Sequence, residues 1–384
     1  MKTDFHRLAW RLQTMRLSGL AICALLIASC AHGGEPTEAP PPAQRHNVVE
    51  VEADGTVHVP EMSVPLPDFA SAEGRAYIAD HLATLRTPER MVFDPSLGAP
   101  VFLQDFIDRQ KELFPVSRKD TTLAGIRVYD YAPAGGVPSE NANRVLINLH
   151  GGGFINCWPA CAELESMPVA ALGGFRVVSI EYRQGPDHTF PAASEDVATV
   201  YSELLKTYPP QNIGIYGCSA GGMLTGMSLA WFQKHGLPAP GAAGIYCAGS
   251  AASVSGFGGD SSFTATAIGE GRFFGSPAGD ASEAQNKSGM PYLADADLFD
   301  PLVSPAESDE VLAEFPPTQF ITGTRSFDLS NSVYTHSKLV RLGVTADLHV
   351  WEGMFHGFYT NPDVPESREA YDVMVKFFDR HLGR

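Results

Sequence analysis

The residues with evident chemistry in this 384-residue chain gather around one serine. Gly217-Cys218-Ser219-Ala220-Gly221-Gly222 follows the apolar run Asn212-Ile213-Gly214-Ile215-Tyr216 and opens a helix-like stretch from Ala220 to Lys234. A G-x-S-x-G turn between strand and helix thrusts the serine hydroxyl clear of the sheet, and the helix start aims free N–H groups at a developing negative charge. Glycine is required at 217 and 221 because a Cβ there would strike the neighbouring strand and helix. A hydroxyl becomes a nucleophile only when a base takes its proton. His356, in Glu352-Gly353-Met354-Phe355-His356-Gly357-Phe358, lies just past the last apolar strand and is the candidate base. His150-Gly151-Gly152-Gly153 follows a strand ending at Leu149. Three glycines in a row let the backbone curl, so the Gly151 and Gly152 N–H groups, joined by that of Ala220, are the expected oxyanion hole. Together these groups suit attack on an ester carbonyl.

The elements that must hold them alternate. Apolar strand-like runs occur at 144–150, 175–182, 212–217, 242–247, 317–323 and 346–351, with helix-like segments at 162–172, 193–208, 220–234 and 329–342 between them. Strands alternating with helices predict an α/β fold: a mostly parallel sheet covered on both faces, with ligands bound at its carboxyl edge. The Gly-, Ser- and Phe-rich stretch 254–302 interrupts the alternation and is expected to lie over that edge. Its Phe257, Phe263, Phe273 and Phe274 are either apolar pocket lining or core. Upstream, Asp54-Gly55 between two short alternating runs signals a hairpin, and 71–85 and 103–114 have helical apolar spacing.

These motifs, in this order, resemble the hormone-sensitive-lipase-like bacterial carboxylesterases of the α/β-hydrolase fold, over about residues 123–383. The segment Glu181-Tyr182-Arg183-Gln184-Gly185-Pro186-Asp187-His188-Thr189-Phe190-Pro191-Ala192-Ala193 is similar to a family segment that buttresses the active site, whereas Cys218 stands where an acidic residue is more usual. The resemblance implies a cap, from about 60–115 and 254–300, over a hydrolase domain at 46–384. It also implies a triad acid about 30 residues before the histidine. That position is Ser326, which cannot hold an imidazolium electrostatically. Asp328, two residues on, is the expected acid, with a helix N-cap as its alternative role and Asp260 as a distant second candidate.

The N-terminus reads as an address. Lys2, Arg7, Arg11 and Arg16 precede the nine-residue apolar run Leu20–Ala28, too short to span a bilayer that needs ~20 residues. Ile27-Ala28-Ser29-Cys30 resembles a lipoprotein processing site, so residues 1–29 are expected to be a signal peptide, Cys30 the lipidated first mature residue and the proline-rich 30–45 a tether. The expectation is an exported protein, anchored by lipid in the bacterial cell envelope at the periplasm or outer membrane.

A net charge of −17 argues against a nucleic-acid partner. Cys157 and Cys161 either pair as a small-loop disulfide or stay free; Cys218 and Cys247 are expected to stay free. No cysteine–histidine cluster has zinc-like spacing, so neither metal nor cofactor is expected. The sequence therefore suggests a serine carboxylesterase acting on short- to medium-chain acyl esters as small-molecule substrates. Two readings stay open beside it: a deacetylase or amidase using the same triad, and an inactive hydrolase-fold binding lipoprotein.

Overall fold

The computed structural model describes residues 49–55, 57–58, 63–84, 87–252, 259–267 and 290–383. Two units are distinguished, 1–63 and 64–384. The first holds a hairpin of β1 (Glu50–Val51) and β2 (Val57–His58), in antiparallel register about Asp54-Gly55. The proposed signal peptide, Cys30 and tether lie outside the described residues, as do Phe257, Phe273 and Phe274.

The second unit begins with α1 (Ala72–Thr84), a two-strand ladder of β3 (Phe93–Asp94) and β4 (Ala99–Pro100), and α2 (Leu103–Leu113). Eight strands then build one sheet: β5 (Val116–Leu123), β6 (Ile126–Pro133), β7 (Val145–Leu149), β8 (Arg176–Ile180), β9 (Ile213–Cys218), β10 (Ala242–Tyr246), β11 (Thr318–Gly323) and β12 (Ala346–Trp351). Their spatial order is β12-β11-β10-β9-β7-β8-β6-β5, and only β6 runs against the rest. The central strands β7, β9, β10 and β11 are buried along their whole length, which is why they read as unbroken apolar runs rather than alternating ones. Both edges are partly exposed.

Helices cover both faces. Alternate strand residues pack on α4 (Ala192–Leu204), α5 (Ala220–Lys234) and α8 (Leu329–Arg341) on one side, joined by residues of α6 (Asp260–Ala267) and α7 (Asp309–Ala313). The others pack on α3 (Ala160–Gly173) and α9 (Pro365–His381), with α1 and α2 outside them. Thus Ile147 and Ile215 point one way, while Leu146 and Tyr216 point the other. Among the described residues, no helix is long and apolar enough to cross a membrane.

The two expected cap segments behave differently from one another. In 60–115, α1 reaches the carboxyl edge, where Tyr77 and His81 pack on Phe355 at ring distances of 4.9 and 3.6 Å. By contrast α2 lies along α3, and its Gln110 side chain donates to the Thr360 carbonyl at 3.0 Å. The apolar side of α2 is therefore satisfied by the helical layer below it. In 254–300, the described parts are anchored beside the candidate site. Ser261 Oγ donates to Phe327 O at 2.6 Å, and Tyr292 stacks on Phe154, just after the three glycines, at 4.7 Å.

Candidate active site

The sheet ends explain how residues far apart in sequence meet. β7, β9, β11 and β12 are parallel, so the loops after their last residues, Leu149, Cys218, Gly323 and Trp351, emerge at one edge. These loops carry the glycine run, Ser219, Asp328 and His356.

Ser219 sits between β9 and α5 with φ 58° and ψ −123°, a backbone that L-residues adopt only when their surroundings compel it. Its N–H donates to the Tyr246 carbonyl at 2.8 Å, and its carbonyl accepts the first α5 hydrogen bond, from Met223 at 3.0 Å. A Cβ at Gly217 or Gly221 would land on the Leu149 carbonyl, so glycine is required there to let the turn close against β7. Ala220 starts α5 and is among the first-turn residues whose N–H lacks an intrahelical acceptor.

The loops after β11 and β12 are laced together. Thr324 N–H donates to Trp351 O at 2.9 Å, Arg325 N–H to Met354 O at 3.0 Å, and Gly353 N–H to Thr324 Oγ1 at 2.7 Å. Asp328 and His356 are thereby brought into contact: His356 Nδ1 lies 2.7 Å from Asp328 Oδ1. Asp328 is fully buried, and its carboxylate also accepts from Ser326 Oγ, from Thr322 Oγ1 at 2.7 Å and from Ser332 Oγ at 3.5 Å. It makes no side-chain cap bond at the start of α8, so the N-cap role does not apply. Ser326 stands at the position expected for the acid, and its hydroxyl donates to the carboxylate that replaces it. Asp260 is exposed at the start of α6. The His356 ring stacks on Phe327 at 4.3 Å. With the ring edge fixed by a carboxylate at Nδ1, Nε2 is left as the basic nitrogen.

Cys247, after β10, completes this corner. Its Sγ accepts the Gly357 N–H at 3.2 Å and lies within 4.8 Å of the Asp328 and His356 donor atoms, the one metal-like grouping among the described residues. Burial pushes its thiol far above its ordinary range, so it sits there as a neutral S–H. Cys218 and Cys247 are free and buried, while Cys157 and Cys161 form a disulfide, resolving the choice the sequence left open.

The glycine loop requires one correction. The Gly151 N–H, expected to face the serine, donates instead to Glu165 Oε1 at 2.8 Å. Glu165 comes from α3, and no motif announced it; its one signal is an acid beside the mostly apolar stretch Met167–Leu172. Among the described residues, the Gly152 and Gly153 N–H groups meet no protein acceptor. Both glycines have positive φ, 112° and 65°. A Cβ on Gly152 would collide with the Asn156 carbonyl, so this turn needs glycine sterically and conformationally.

The segment 181–193 supports the same loop. Tyr182 Oη donates to His150 O at 2.6 Å, its ring stacks on His150 at 4.4 Å, and the Gly185 N–H donates to Phe154 O at 2.7 Å. The segment is itself fastened by Arg183, whose backbone N–H and guanidinium both bind Asp196. His150 is fully buried, and burial lowers its pKa to about 4. Its ring is therefore neutral at pH 7, and Nδ1–H donates to Gly151 O at 2.7 Å.

Comparison with known proteins agrees with this architecture. A family model described as the alpha/beta hydrolase fold matches residues 146–360. An acetyl-hydrolase of Streptomyces hygroscopicus is 28% identical over 248 residues, 64% of this chain and 79% of that protein. The carboxylesterase/phospholipase LipF of Mycobacterium tuberculosis is 30% identical over 252 residues, covering 62% of each chain. The crystal structure of esterase E25 superposes with a TM-score of 0.70 at 30% identity, covering 85% of this chain and 99% of that one. The chain belongs to the α/β-hydrolase family and sits among its carboxylic ester hydrolases.

Proposed function

We propose that the protein is a serine carboxylesterase of the hormone-sensitive-lipase-like kind, hydrolysing short- to medium-chain acyl esters with Ser219 as nucleophile, His356 as base and Asp328 as the acid that orients it. The observation that carries this reading is the 2.7 Å contact between Asp328 Oδ1 and His356 Nδ1, made at the same sheet edge as a serine in a strained elbow.

In the first half-reaction, His356 Nε2 takes the Ser219 proton as Oγ attacks the acyl carbon. The carbonyl oxygen becomes an oxyanion, received by N–H groups of Gly152, Gly153 and Ala220. Gly153 replaces Gly151 in this assignment because Gly151 is already bonded to Glu165. Each such donor contributes ~3–4 kcal/mol, since it is aligned before the charge forms. The imidazolium, paired with Asp328, returns its proton to the departing alcohol. Water, deprotonated by the same ring, then releases the acid and regenerates Ser219. Acyl esters as substrates are supported by the acetyl-hydrolase and carboxylesterase relatives.

The test is p-nitrophenyl acetate turnover by the wild type and Ser219→Ala, followed by a chain-length series. Rapid turnover by the wild type alone supports the reading; equal rates reject it. Comparable kcat/KM on the matching anilide would turn it to amide hydrolysis. We further propose export and lipid anchoring through Cys30, a reading the Cys157–Cys161 disulfide supports because such bonds persist in oxidising compartments. Cys30→Ala should move the protein from the membrane fraction to the soluble fraction; retention in the membrane would reject the anchor.

A further inference from the structure

Glu165 stands apart from every group used so far. It is almost wholly buried, on a helix most of whose residues are also buried, and its carboxyl group is given over to backbone and amide donors. Three donors from three segments converge on its one carboxyl group. Gly151 N–H, in the loop after β7, donates to Oε1 at 2.8 Å. Cys218 N–H, immediately before the nucleophile, donates to Oε2 at 3.2 Å, and Asn148 Nδ2, from β7 itself, donates to Oε2 at 2.9 Å. Asn148 is in turn fixed by the Ser179 hydroxyl of β8, which donates to its Oδ1 at 2.6 Å.

A buried carboxyl is costly to keep, and its oxygens are worth most where no water can replace them. Here they span the gap between two loops that no ladder bond covers. The last β7–β9 pair is Leu149 with Gly217; beyond it the strands diverge, one into the glycine loop and the other into the elbow. The gap is narrow, because a Cβ on Gly151 would lie 3.1 Å from Cys218 O and 3.5 Å from Ser219 Cβ. Holding Gly151 anchors the start of the turn that carries Gly152 and Gly153. Holding Cys218 fixes Ser219 and Ala220. The oxyanion donors come from both loops, so their separation depends on what ties one loop to the other.

We propose that Glu165 is a positioning residue that clamps the oxyanion loop to the nucleophile elbow and sets the spacing between the Gly152/Gly153 and Ala220 donors. This inference rests on the esterase reading above. It acts through the backbone, and Glu165 takes no part in proton transfer. Burial pushes its carboxyl up to about 8, against the pull of the three donors.

The test is Glu165→Gln, which offers one acceptor oxygen to three donors and turns an NH2 toward the rest. Misaligned oxyanion donors weaken the transition state and not the ground state. The expected result is a kcat for p-nitrophenyl acetate lower by about 10–100-fold, up to the lower limit of the roughly 10²–10³-fold that outright loss of one such donor costs, with KM changed less than twofold. Affinity for phenylboronic acid, whose adduct on Ser219 places an oxygen in the same hole, should fall in step with kcat. A folded Glu165→Gln enzyme with kcat and boronate affinity within twofold of wild type would overturn the proposal, as would loss of kcat without loss of boronate affinity. Should that variant not fold, site-resolved amide exchange on the wild type decides: Gly151 protected together with Cys218, and Gly152 and Gly153 exchanging fast, is the expected pattern, and rapid exchange at Gly151 overturns the clamp. Ser219→Ala serves as the reference. If the wild type is no faster than Ser219→Ala the esterase reading fails, whereas an active wild type matched by Glu165→Gln defeats the clamp alone.

Discussion

Replacing Asp328 by asparagine removes one charge and one acceptor while keeping the side chain's shape, and the structure bounds what that should do. Oδ1 accepts from His356 Nδ1 and from Ser326 Oγ; Oδ2 accepts from Thr322 Oγ1 and Ser332 Oγ. An asparagine can turn either way. With its NH2 toward the ring, Nδ1 must become the acceptor, the proton moves to Nε2, and the ring can no longer take a proton from Ser219. That wrong-tautomer state costs ~10⁴ in kcat, about 5 kcal/mol. With its NH2 toward Thr322, whose hydroxyl can reverse and accept, the tautomer survives but the imidazolium loses its charged partner. A hydrogen bond to a charged group is worth ~1.5–3 kcal/mol, which is about 10–150-fold in rate. Asp328→Asn should therefore lower kcat for p-nitrophenyl acetate by roughly 10–10⁴-fold, according to which way the amide turns, with folding intact by circular dichroism. Steady-state kinetics beside Asp260→Asn, an exposed residue, makes the comparison. A decrease below tenfold for Asp328→Asn, or a larger loss for Asp260→Asn, would refute the assignment of the acid.

Other perturbations test separate parts of the account. Gly151→Ala puts a Cβ 3.1 Å from Cys218 O and 3.4 Å from Glu165 Oε1, so kcat should fall about tenfold with a small rise in KM, read from a substrate titration. His81 and His150 are held neutral by burial, each lowered to about 4. Their contribution to stability is complete above the unfolded value near 6.5 and is lost as pH falls from there toward 4. His81→Phe should accordingly flatten the fall of Tm over that interval; an unchanged slope would count against the burial argument. Buried Arg144 donates to the carbonyls of Leu382 and Gly383 at 3.0 and 2.8 Å, so Arg144→Met should leave them unmet and destabilise the fold by ~1–3 kcal/mol in urea unfolding.

Much of this arrangement was legible in the chain because local rules and global packing agreed. The strands from β7 onward are uninterrupted apolar runs since helices cover both their faces, and the elbow glycines are needed for a contact that sequence spacing already implied. The hairpin of β5 and β6 was less plain. Val116–Leu123 is polar and largely exposed at the sheet edge, and its turn uses Ala124-Gly125, both with positive φ, where asparagine or aspartate would have signalled it. Helix α9 has readable spacing at Ala370, Tyr371, Met374, Phe377 and Phe378, but it bears none of the motif residues that guided the search. At the site, serine, histidine and the glycine run are marked by neighbours in sequence. The direction of the Gly151 N–H is decided by a carboxyl 14 residues away on α3, and Asp328 meets His356 only because their loops are laced across two strands. Contacts of that kind leave no local trace.

The central claim is that one hydroxyl is made reactive by the ring beyond β12. Fluorophosphonate labelling of the folded protein, followed by peptide mapping, examines it most directly. Stoichiometric modification at Ser219, slowed strongly in Asp328→Asn and absent after heat unfolding, is the predicted result. A folded, full-length protein whose Ser219 stays unlabelled, or whose label resides on another side chain, would contradict it.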